Sequence, residues 1–74
     1  MLRCLKVKIY NDEGTATTFR FRAPKGKQWN SGAGLALVEQ LVSDLEDQLP
    51  THDFRIVPIG NGQYNIIPES QAHA

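Results

Sequence analysis

Apolar residues fall on every second position twice near the start of the chain. Leu5, Val7 and Ile9 alternate with Lys6 and Lys8. Thr17, Phe19, Phe21 and Ala23 alternate with Thr18, Arg20 and Arg22. A period of two marks a strand with one buried side. Between the two runs stands Asn11-Asp12-Glu13-Gly14. Asn suits the first position of a type I turn, and Gly supplies the left-handed residue of the bulge that follows. That loop sets Val7 opposite Phe19, Leu5 opposite Phe21, Lys6 opposite Arg20, Lys8 opposite Thr18 and Cys4 opposite Arg22. A slip of one residue would turn both phenylalanines into water, so a firm register is expected.

Pro24 ends the second strand, because proline cannot continue a ladder. The loop that follows, "APKGKQWNSGAG", is rich in Gly and Lys. The apolar period then changes. Leu35, Val38, Leu41, Val42, Leu45 and Leu49 form one helical face, widened by Leu37. Glu39, Gln40, Ser43, Glu46 and Asp47 take the other face. Asn30 or Ser31 can cap this helix, and Pro50 stops it.

Residues 53–59 and 63–68 predict a second hairpin around Gly60-Asn61-Gly62. A three-residue loop puts Phe54 and Ile56 on the side of Tyr64 and Ile66. Arg55, Val57, Ile59, Asn65 and Ile67 then take the other side. A two-residue Asn61-Gly62 loop instead pairs Ile59 with Tyr64 and Val57 with Ile66. Both remain open at this stage. Pro58 and Pro68 place at least one of these strands at a sheet edge.

The expected architecture is α+β: a single β-β-α-β-β domain over residues 1–68, with a disordered tail over 69–74. Two hairpins form a four-stranded, mostly antiparallel sheet, and one amphipathic helix packs on one face. One helix cannot cover both faces, so the other meets water, a partner or a second copy.

Eight Lys and Arg balance eight Asp and Glu, so no global field draws the chain to nucleic acid or membrane. The opening residues carry charges throughout, and neither a signal peptide nor a membrane span is expected. A single cysteine fits a reducing compartment, and the cytoplasm is the expected location.

Net neutrality hides a segregated charge pattern. The uncovered face of the first hairpin carries Lys6, Lys8, Arg20 and Arg22, while the helix is acidic. Two unit charges about 5 Å apart in water repel by only ~0.8 kcal/mol, which the fold can tolerate. The strip is either a solvated face that discourages edge pairing or the seat of an acidic or anionic partner. Val57 and Ile67 add an apolar half to the same face under the three-residue loop. Trp29 is either a lid over the core edge or a binding anchor. Lys25, Lys27 and Gly32 hold the ingredients of a weak anion site before the helix, although the phosphate-loop spacing is absent.

Catalytic candidates are poor. Cys4 has Arg3 and Arg22 nearby but no histidine in local sequence. His52 and Asp53 diverge on a strand start and make no relay with Ser31 by local spacing. No metal motif and no cofactor motif is present. A sheet with one bare face resembles RNA-recognition platforms in outline. Those stack bases on outward aromatics, whereas Phe19, Phe21, Phe54 and Tyr64 are expected to point inward. The function expected is a non-enzymatic module binding protein, self or other, through its open sheet face. Nucleic-acid binding by the basic strip and the Lys/Gly/Trp loop is the alternative.

Overall fold

The first hairpin closes around Asn11. Its N–H donates to Thr15 O at 2.9 Å, and its carbonyl accepts from Gly14 N at 3.1 Å. Its side-chain Oδ1 accepts from Glu13 N at 2.9 Å and Thr15 N at 3.0 Å. Gly14 adopts φ 85°, a left-handed conformation that costs other L-residues roughly 1–2 kcal/mol. These details come from a computed structural model that describes residues 3–69. Strand β1 (Cys4–Tyr10) pairs antiparallel with β2 (Ala16–Arg22). All five expected cross-strand pairs are present, from Cys4 opposite Arg22 to Lys8 opposite Thr18.

Helix α1 (Ser31–Gln48) is capped by Asn30, whose Oδ1 accepts from Ala33 N at 2.7 Å. At the other end Leu49 N donates to Leu45 O at 2.9 Å, and Pro50 follows. The buried seam differs from the expected one. Gly34 and Val38 are its buried residues, with Leu37, Leu41, Val42 and Leu45 packed around the core. Leu35 and Leu49, expected on this seam, are 39% and 42% exposed. The cause is the close approach at Gly34, where a Cβ would meet Leu5 Cδ1 at 3.2 Å. Docking through Gly34 turns Leu35 to the flank of the helix, and Leu49 lies in the cap beyond the last turn.

Strands β3 (Phe54–Gly60) and β4 (Gln63–Pro68) form the second hairpin. Its turn has two residues, Asn61 at φ 52° and Gly62 at φ 73°, as a type I′ turn requires. A β-bulge between Pro58 and Gly60 then shifts the register. Ile56 therefore faces Ile66 and Val57 faces Asn65. The turn follows one expectation and the faces follow the other, because the extra residue in β3 restores the inward side of Phe54 and Ile56.

The strand order is β2-β1-β4-β3, with β1 and β4 parallel at the centre. Val7 lies beside Tyr64 and Ile9 beside Ile66. Leu5, Val7, Val38 and Ile66 form the buried core, each no more than 2% exposed. Trp29 packs against it, and its indole Nε1 donates to Phe21 O at 2.8 Å. Both β2 and β3 are edge strands, which accommodates Pro58. The expected tail began at Glu69. That residue's N–H donates to Asp53 O at 2.8 Å, extending the β3–β4 ladder, and residues 70–74 lie outside the described residues.

Ile66→Val removes one methylene from the fully enclosed centre and should cost about 0.5–1.5 kcal/mol in urea unfolding. Ile59→Thr, at the exposed bulge, should stay within about 0.5 kcal/mol of the parent protein. Equal losses at both positions would contradict the register of β3 and β4.

Candidate interaction face

The register determines which side chains share the uncovered side of the sheet. Arg20 and Lys6 face each other, and Gln63 lies beside Lys6 on the parallel strand. The next row runs Thr18, Lys8, Asn65 and Val57 across all four strands. Ile67 and Arg55 are paired further along β4 and β3, and Cys4 and Arg22 at the opposite end of the first hairpin. The basic strip and the apolar residues Val57 and Ile67 therefore occupy one face. Phe19, Phe21, Phe54 and Tyr64 have the parity of the helix-covered side. Tyr10 has the parity of the open face, but it stands at the strand end beside the first turn.

The electrostatics of this face are one-sided. Among the described residues, no carboxylate lies within 4.0 Å of Lys6, Lys8, Arg20 or Arg22. Arg55 on the same face does meet an acid, with Nε 3.6 Å from Glu69 Oε1. Four acids, Glu39, Asp44, Glu46 and Asp47, lie on α1 in the other layer. Glu46 also has a structural contact there, its Oε2 accepting from Phe54 N at 3.2 Å. The face contains one further polar anomaly. Asn65 Oδ1 is buried, and among the described residues nothing donates to it. A buried acceptor without a donor costs about 1–3 kcal/mol relative to a satisfied one.

The other sequence candidates sit elsewhere. Lys25 and Lys27 are exposed in the loop before α1, where Lys27 N donates to Pro24 O at 2.9 Å. Gly32 lies in the first helical turn. Two nearby amides are already used, Ala33 N by Asn30 Oδ1 and Gly34 N by Asn30 O. Trp29 is half-buried and held by its bond to Phe21, the placement of a lid over the core edge. Cys4 is exposed beside Arg22.

One contact has no trace in local sequence. His52 Nε2 lies 2.8 Å from Asp12 Oδ2, forty residues away. The ring stacks on Phe54 at a centroid distance of 6.1 Å, and Nδ1 lies 3.3 Å from Thr51 Oγ1. The His52 and Asp12 side chains are 30% and 54% exposed, so the pair acts as a solvent-screened latch between the first turn and the start of β3. Among the described residues, no group of three His, Cys, Asp or Glu side chains could hold a metal ion. No described helix is long and apolar enough to cross a membrane.

No family model matches this chain, and neither a curated protein nor a solved structure matches it.

Because Arg20 faces Lys6 and no acid, Arg20→Gln should leave stability unchanged or raise it by up to ~0.8 kcal/mol in urea at low ionic strength. The gain should shrink as salt is added. A loss above about 1 kcal/mol would mean that Arg20 is engaged by a group on its own chain.

Proposed function

We propose that this protein is a small, non-enzymatic binding module whose open sheet face docks an acidic surface of another protein. The observation that carries this reading is the row structure of that face. Among the described residues, Lys6, Lys8, Arg20 and Arg22 stand together without a carboxylate, next to the apolar Val57 and Ile67. A partner that brings carboxylates beside an apolar patch would complement both the cations and the apolar pair. The apolar part would supply affinity, and the charges would set register and association rate.

Charge also supports a foreign partner over a second copy. Two molecules stacked through this face would crowd both cationic strips into one interface. The four inward aromatics favour protein over nucleic acid, since no row of rings is available for stacking bases. A cytoplasmic setting belongs to the same proposal and rests on the single cysteine.

The test is affinity capture from the native host with the parent protein and with the Arg20→Glu/Arg22→Glu variant, each with and without nuclease treatment of the lysate. Proteins captured by the parent, retained after nuclease and lost with the variant support the reading. Capture that vanishes on nuclease treatment would assign the strip to nucleic acid instead. Equal capture by both proteins would remove the open face from the account.

A further inference from the structure

The two edges of the sheet are not equivalent. Since Asn11 and Thr15 form a bonded pair, as do Arg3 and Ala23, the odd-numbered residues of β2 bond to β1. The N–H and C=O groups of Ala16, Thr18 and Arg20 therefore point outward, away from the sheet. On β3 the outward positions by the same alternation are Phe54, Ile56 and Pro58, because Glu69 N bonds to Asp53 O. Pro58 has no N–H to offer, and the bulge beside it bends that edge. Such features block strand addition. Strand β2 has neither a proline nor a bulge over its seven residues, and six of them are exposed.

Between the helix and the first-turn end of the sheet lies a groove that reaches β2 at Thr17 and Phe19. It measures about 290 Å³; Ile9, Phe19, Leu45 and Leu49 line it, and Asp12 and His52 add a polar wall. Phe19 is 43% exposed there although it lies on the core side of β2. On the other side of the same strand stand Arg20 and Arg22, with no acid against them among the described residues.

We propose that the β2 edge accepts an extended peptide as a fifth strand, and that the peptide alternates apolar and acidic residues. A strand placed about 4.8 Å from β2 would bond through its backbone to Thr18 and Arg20. Its residues opposite Arg20 and Arg22 share the open face, where carboxylates meet the two guanidinium groups. Its residues opposite Thr17 and Phe19 project on the helix side, against the exposed flank of Phe19 at the mouth of the groove. Charge selects this occupant over a second β2 strand, which would gather the arginines of both copies on one face with no acid between them. This site shares Arg20 and Arg22 with the docking face above, but it adds the backbone edge and the groove and needs neither Asn65 nor Val57.

The test is a titration of isotopically labelled protein with a short capped peptide of alternating valine and glutamate, followed by NMR. Binding should shift the amides of Ala16, Thr18 and Arg20 together with the ring signals of Phe19. Replacing the glutamates by lysine should weaken binding at least about tenfold. N-methylating the peptide at the residues that bond to Thr18 and Arg20 should do the same with the protein untouched. Thr18→Pro, which removes an outward N–H and leaves the β1 ladder whole, should reproduce that loss. No shift at millimolar peptide, affinity indifferent to N-methylation, or shifts confined to Lys6, Lys8 and Asn65 would each overturn the proposal.

Discussion

Lys6 N–H donates to Gly62 O at 2.9 Å where β1 and β4 begin to run parallel, and the placement of every other element follows from that seam. A parallel pair cannot be joined by a tight turn. It needs a long crossover, here supplied by the loop after β2 and by α1. The crossover lays its helix on one side of the sheet, where Val38 and Gly34 close over Leu5, Val7 and Ile66. Each hairpin alone would be marginal. Joined along β1 and β4, they form one sheet with one dry face and one wet face.

That asymmetry organises the charge. Neutral in total, the chain places Lys6, Lys8, Arg20 and Arg22 on the wet face, with no carboxylate against them among the described residues, and four acids on the helix behind it. The arrangement has a cost at the helix end. Asp44, Glu46 and Asp47 lie near a C-terminus with no base in its last turn, where the macrodipole disfavours anions by a few tenths of a kcal/mol each. Glu46 offsets part of this by accepting from the first amide of β3, tying the helix end to the sheet. The edges are managed differently from each other. Pro58 and the bulge guard β3, while β2 carries only its arginines.

The first hairpin was fully legible, because its turn residues and its period of two each specify the same register. The second was legible only as two alternatives. Asn61-Gly62 correctly indicated a two-residue turn, but no residue count announces a bulge, and the bulge decides which side Val57 takes. Strand order was not legible, since β1 meets β4 through contacts more than fifty residues apart in sequence. The helix seam was misread at Leu35 for a plain reason. Leucines dominate an apolar pattern, whereas docking distance is set by the smallest residue, Gly34. The open face was readable as a strip of cations. Its neighbours Gln63 and Asn65 came into view only with the parallel pairing, and the Asp12–His52 latch only with the folded chain.

The central claim is that one helix covers one face and leaves the cationic face bare. Solvent relaxation enhancement by a neutral gadolinium chelate measures this directly, residue by residue. The account predicts strong enhancement at the side chains of Lys6, Lys8, Arg20 and Arg22, and almost none at Val7, Val38 and Ile66. Lysines as protected as those three core residues would show a second layer over the sheet and contradict it.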